Sequence, residues 1–181
     1  MPPSDTRAGY TGVAKLLHWL ILALLVAQFA IAWTMPNIGR GSVPTGLIGW
    51  HLSVGLTILA VMLVRLAWRL THSVPPAPSD LPRALALLSR ITHYLLYAVL
   101  IVLPLLGWAN ASARGWAVRL FGVVPLPPLT MKGSALGHQL GNVHATLATV
   151  LLAIVALHVA GALYHALILK DRTVQRMLPD A

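Results

Sequence analysis

The chain has 181 residues, of which 57% are hydrophobic and only 9% charged, with thirteen Lys and Arg against four acids, all of them aspartate. Soluble domains carry about 25% charged residues, so this is a membrane composition; the +9 charge is spread between apolar runs rather than gathered on one face, which argues against a nucleic-acid binder. With no cysteine there are no disulfides, no thiolate metal sites and no covalently attached c-type haem.

Taken in chain order, the N-terminus starts basic, but the apolar run after Lys15 is as long as a full span and has no small-residue cleavage pattern. It reads as a retained helix rather than a signal peptide. A bilayer core takes roughly 20 apolar residues of helix, and four spans are predicted over residues 16–35, 47–68, 91–113 and 142–169. The first holds His18 and Gln28, the second opens on His51, and the third holds His93. The proline-rich stretch THSVPPAPSDLPR separates the second span from the third, and the longer RGWAVRLFGVVPLPPLTMKG separates the third from the fourth. The charge-free run Gly133 to Leu169 would be about 55 Å long as one helix, too long for a single span, so its first part is predicted to be interfacial. The span proper, from near Gly141, carries His144, His158 and His165.

Basic residues set the orientation. Arg7, Lys15, Arg65, Arg69, Arg83, Arg90, Lys170, Arg172 and Arg176 fall on one side, and Arg40, Arg114, Arg119 and Lys132 on the other. The positive-inside rule then puts both termini in the cytoplasm.

Ionisable residues inside a span are costly and mark functional sites. At 100° per residue, His144 and His158 lie about 40° apart on one helix face and about 21 Å apart along the axis. That spacing suits two separate cofactors stacked through a four-helix bundle, one near each membrane face. A neutral imidazole is a good haem-iron ligand, and two on opposite sides close a six-coordinate site. By depth His51 pairs with His144, and His18 with His158 or His165; seven residues leave the last two about 20° apart, and geometry does not separate them. Any one of these histidines could instead be an interhelical hydrogen-bond partner. Zinc would need further ligands that no carboxylate in a span supplies. His138 faces away from the ligand stripe and His72 reads as a solvated turn residue.

These features resemble the bacterial cytochrome b561 family over essentially the whole chain. The resemblance rests on KLLHWL, GWHLSVGLTILAVMLVRLAWR, HYLLYAVLIVLPLLG and NVHATLATVLLAIVALHVAGALYH, and on the closing KDRTVQRMLP. It implies an all-α transmembrane four-helix bundle with two b haems in its core, held by His18 with His158 on the cytoplasmic side and by His51 with His144 on the periplasmic side. It also implies that His93 and His165 contact ubiquinone. Imidazoles at membrane depth can hydrogen-bond quinone carbonyls and exchange protons. Superoxide-oxidising members suggest that the basic loop residues, above all Arg114 and Lys132, draw superoxide toward the outer haem. Where members often carry an acid just after the third ligand, this chain has Ala145. Gly55, Gly107 and Gly161 mark places for close helix or porphyrin approach, and Pro104 a kink in the third span.

The expected function is therefore a multi-pass protein of the bacterial inner membrane, in contact with lipid, passing single electrons from a periplasmic donor such as superoxide to ubiquinone. The alternative is a cytochrome b subunit without its own catalysis, serving a periplasmic dehydrogenase or hydrogenase.

Overall fold

The computed structural model describes residues 9–39, 41–73, 75 and 81–178. Four long helices account for most of them: α1 (Gly12–Thr34), α2 (Gly46–Thr71), α3 (Arg83–Ala113) and α4 (Ala135–Tyr164). Each is long and apolar enough to cross a membrane. Arg7 and Arg40 of the charge-sidedness argument lie outside the described residues, as do Asp5, Asp80 and Asp180.

Local chemistry sets the helix ends. The Thr11 side chain caps α1 by accepting from Ala14 N, which satisfies one of the orphan donors of the first turn. Pro36 follows the α1 C-cap, where the residue before a proline is steered out of helical geometry. The third helix starts at Arg83, straight after Pro82 and eight residues ahead of the sequence expectation at residue 91. The extra stretch, RALALLSR, is rich in strong helix formers. The helix runs unbroken through Pro104 to Ala113 and is followed, after the Arg114 cap, by Gly115, whose φ of +74° suits a residue without a Cβ.

The fourth helix also begins early, at Ala135 rather than near residue 142, with the Ser134 side chain accepting from Gly137 N. This stretch packs against α3. A Cβ at Gly137 would come 2.5 Å from Ala113 Cβ, and one at Gly141 2.5 Å from the Asn110 amide carbon. Two glycines thus let the start of α4 lie against the end of α3. At its other end α4 passes into a π-helical turn, His165–Leu169, which Lys170 closes in the left-handed region (φ 52°).

The helices alternate in direction. Tyr10 N donates to Arg176 O at 3.3 Å, and Arg65 Nη1 to Ala14 O at 2.7 Å, so both termini and the end of α2 share one end of the bundle, the terminal end. The opposite, loop end carries the α1–α2 connection and a small hairpin of β1 (Arg119–Leu120) and β2 (Val124–Pro125). Ser53 of α2 pins that hairpin by accepting from Phe121 N at 2.9 Å.

Backbones approach closely between α3 and α4, α1 and α2, and α2 and α3. Neither α1 with α4 nor α2 with α4 packs that way. Ile21, Val54, Ile58, Met62, Val99, Leu100 and Leu151 form the buried core, while Leu16, Val26, Leu63 and Leu163 among many others point outward. An apolar exterior suits lipid, where packing and interhelical hydrogen bonds rather than the hydrophobic effect hold helices together. The protein is an all-α, multi-pass four-helix bundle.

Candidate functional site

Histidines bridge α1 to α4 and α2 to α4, pairs whose backbones do not approach closely. The rings of His18 (α1) and His158 (α4) have centroids 6.2 Å apart, and those of His51 (α2) and His144 (α4) also 6.2 Å. On α4 the two histidines are separated by Leu151, seven residues from each, and only 1% exposed. At 1.5 Å per residue each pair lies about 10 Å from that leucine. A dry layer of apolar side chains therefore divides a loop-end pair from a terminal-end pair.

The spacing of each pair fits one metal ion held between two imidazoles. Metal–nitrogen bonds to histidine are about 2.0–2.1 Å, so two ligating nitrogens on opposite sides of an ion stand about 4 Å apart with the ring bodies beyond them. Among the described residues, no cluster of three or more His, Cys, Asp or Glu side chains forms a metal site. Two-histidine ligation within a larger planar ligand suits this donor set better than zinc does.

The loop-end pair is tightly positioned. His144 Nδ1 lies 2.9 Å from Leu103 O; a carbonyl can only accept, so Nδ1 carries the proton and Nε2 keeps its lone pair for a ligand. Gly107 makes room for this ring, since a Cβ there would sit 3.0 Å from His144 Cε1. On the other side Gln28 Nε2 donates to His51 O at 3.0 Å and approaches His51 Nε2 at 3.3 Å. Gln28 Oε1, His51 Nδ1, Trp108 Nε1, Asn110 Oδ1 and Arg114 Nε are buried with no hydrogen-bond partner. Natively buried polar atoms are nearly always paired, so such a concentration at one end of the bundle marks a place built for another group.

The terminal-end pair has different company. His93 on α3 stands 5.1 Å from His158, ring to ring, with its Nδ1 2.6 Å from Ser89 O. By the same carbonyl argument His93 keeps Nε2 free. His165 does not join it: among the described residues no ring contact or hydrogen bond links His93 to His165. Instead His165 Nδ1 lies 2.6 Å from Asp171 Oδ2. Of the two candidates that helix facing alone had left open, His158 on α4 faces His18, and His165 in the turn that follows does not.

Arg114 and Lys132 come together at the loop end. The Arg114 guanidinium lies 5.6 Å from the Trp116 ring centre, and the Lys132 chain crosses Gly115, where a Cβ would be 2.8 Å from Lys132 Cδ. Gly133 N donates to Ala113 O at 2.8 Å, and Trp116 Nε1 to Ser42 O at 2.9 Å, which holds both loops in place. Arg119 sits exposed on β1, and His138 exposed on the first turn of α4. His72 is exposed and stacks on Trp68 with centroids 3.6 Å apart. A Cβ at Gly55 would lie 3.1 Å from Gln28 Nε2, whereas one at Gly161 would meet nothing within 4 Å.

Two contributors went unassigned in the sequence reading. Gln28 looked like a mere interruption of an apolar span, though an amide at that depth is itself a signal of an inward-facing partner. Asp171 was noted only within the closing motif, and its bond to His165 depends on the left-handed turn at Lys170, which sequence does not announce.

A sequence model of the prokaryotic cytochrome b561 family matches residues 9–180. The chain is 32% identical over 168 residues to a probable superoxide oxidase CybB of Yersinia pestis, covering 90% of this chain and 92% of that one. It is 31% identical over 170 residues to cytochrome b561 homolog 1 of Escherichia coli, covering 90% and 93% respectively. Cytochrome b562 of Cereibacter sphaeroides is 27% identical over 179 residues, 94% of this chain and 95% of that one. The chain therefore belongs to the prokaryotic cytochrome b561 family, membrane electron-transfer proteins of bacteria whose membership implies haem b.

Proposed function

We propose that the protein is a di-haem membrane oxidoreductase that passes single electrons from a periplasmic donor, superoxide, to ubiquinone at the cytoplasmic side. The observation that carries this reading is the pair of imidazole pairs, each with a 6.2 Å ring separation, set at two depths on either side of the Leu151 layer, between helices whose backbones do not approach closely. His18 with His158, and His51 with His144, would each hold one haem b. Haem b held by these imidazoles would supply one-electron iron chemistry.

The chain's own residues do the rest. The Leu103 carbonyl fixes the His144 tautomer, Gln28 holds His51 against α1, and the Leu151 layer keeps the two sites apart and dry. With both termini in the cytoplasm, Arg114 and Lys132 face the periplasm. Cations at one end of the bundle beside a low-dielectric wall raise the local concentration of a small anion such as superoxide. At the cytoplasmic end His93 and His165 would offer hydrogen bonds to the two quinone oxygens. They contact different neighbours, so each would meet the quinone from its own side. The relationship to a probable superoxide oxidase at 32% identity supports this donor.

The test is stopped-flow mixing of purified protein with superoxide, with and without a soluble ubiquinone analogue, after haem has been quantified. Two haems per chain, fast reduction by superoxide and reoxidation by quinone are expected. One haem per chain, or haems that superoxide leaves oxidised, would overturn the proposal. Haems reducible only by a co-purifying periplasmic protein would place the chain as an electron-transfer subunit for a dehydrogenase or hydrogenase.

A further inference from the structure

Asp171 has no part in the electron path, yet both of its carboxylate oxygens are hydrogen-bonded. It is also the one acid among the described residues. Its Oδ2 meets His165 Nδ1 at 2.6 Å, its Oδ1 accepts from Thr173 N at 2.8 Å, and its own N donates to His165 O at 3.2 Å. The π turn His165–Leu169 and the left-handed Lys170 bring the chain back so that these bonds can form. Short π segments inside helices occur frequently at functional sites. The tail beyond is tied down, with Trp19 Nε1 donating to Met177 O at 2.9 Å and Tyr10 N to Arg176 O at 3.3 Å. A carboxylate accepting from Nδ1 fixes the imidazole tautomer and orientation, and stabilises the imidazolium. Every other charged side chain described at this end is a cation, which makes that carboxylate the local counter-charge.

We propose that Asp171 is a positioning residue for proton delivery: it holds the His165 ring by Nδ1 so that Nε2 hands protons to the quinone as electrons arrive. This rests on the reading of His165 as a quinone contact. Ubiquinone takes up two electrons and two protons to become ubiquinol. For each proton, the His165 Nε2–H bond breaks and a quinone O–H bond forms. The neutral imidazole regains its proton from cytoplasmic water before the next transfer, with Asp171 accepting from Nδ1 throughout. Two superoxide ions oxidised to dioxygen supply the two electrons.

The test uses the full-length, haem-loaded protein and measures quinol formation alongside haem reduction by superoxide without quinone. Asp171→Asn should lower kcat for quinol formation by about 10- to 100-fold, the scale of a lost supporting partner or general acid. It should leave KM for quinone within about twofold, raise the solvent deuterium isotope effect, and leave the rate of haem reduction by superoxide unaltered. Asp171→Glu, which keeps the charge, should retain most of kcat; a loss as large as the amide's would overturn the proposal. Unchanged kcat and isotope effect in Asp171→Asn would overturn it too, provided His165→Gln slows quinol formation; the pair would then only tie the tail to α4. If His165→Gln leaves quinol formation untouched, the quinone reading of His165 itself fails.

Discussion

The two histidine pairs share one ring separation, 6.2 Å, but differ in their surroundings. The loop-end pair is clamped: Leu103 O holds His144, Gln28 holds His51, Gly107 gives way to the ring, and among the described residues no third imidazole is in ring contact. The terminal-end pair has His93 at 5.1 Å, with His165 seven residues beyond His158 in the turn after α4 and Asp171 bonded to it. A site that only passes electrons needs fixed ligands, a dry core and no proton traffic. A site that must also protonate a product needs groups that can give up and regain protons. The contrast thus matches the proposed division of labour, with one-electron exchange at the loop end and proton-coupled reduction at the terminal end.

The sharpest way to break this comparison is to remove ligands one pair at a time. His51→Ala or His144→Ala should cost one haem and leave the terminal-end haem, and His18→Ala or His158→Ala the reverse. Haem per protein, measured spectroscopically after extraction, should fall from about two to about one in each variant. Loss of both haems from a single substitution would mean that the two ends are not independent sites.

A smaller but more selective effect should follow from Gly107→Val. The new Cβ would stand 3.0 Å from the His144 ring, and its branches would push that ring off its bond to Leu103 O. Overpacking of this kind costs about 1–3 kcal/mol, so the loop-end haem should become labile while the terminal-end haem keeps its spectrum. Gly161→Val is the control, because a Cβ at that position meets nothing within 4 Å.

Arg114→Gln combined with Lys132→Gln should slow haem reduction by superoxide several-fold at low ionic strength and by much less at high salt, where steering is screened. Quinol formation from prereduced protein should not change. An equal loss at all salt concentrations would show that these side chains act by contact or structure rather than through their field.

Much of this arrangement was legible in the sequence. Apolar runs of span length gave the four helices, and a fourteen-residue spacing put His144 and His158 on one stripe. The early starts of α3 and α4 were not legible. A length argument trimmed the fourth span, but Gly137 and Gly141 let that stretch pack on α3 as helix. Nor was the bond between His165 and Asp171 legible, because it forms only after the chain reverses at Lys170. Periodicity places side chains round an axis; it does not describe how a helix ends.

That reversal leads to the smallest expected effect. A non-glycine residue in the left-handed region costs about 1–2 kcal/mol, and the bonds around Asp171 help to offset it. Burial by itself would raise the Asp171 pKa, but the hydrogen bonds from His165 and Thr173 outweigh it and hold the carboxyl below its ordinary value of 3.8. A group with a lowered folded pKa contributes stability that is fully present above its unfolded value and lost as the pH falls through the folded one. The tie between tail and α4 should therefore be intact at neutral pH and loosen only below about pH 3.8, by about 1 kcal/mol or less. Exchange of the Thr173 amide, corrected for intrinsic rate, should accelerate in that window in the wild type. In Asp171→Asn it should be faster at every pH and show no such step. A step in the variant, or one near neutral pH in the wild type, would assign the titration to a group other than Asp171.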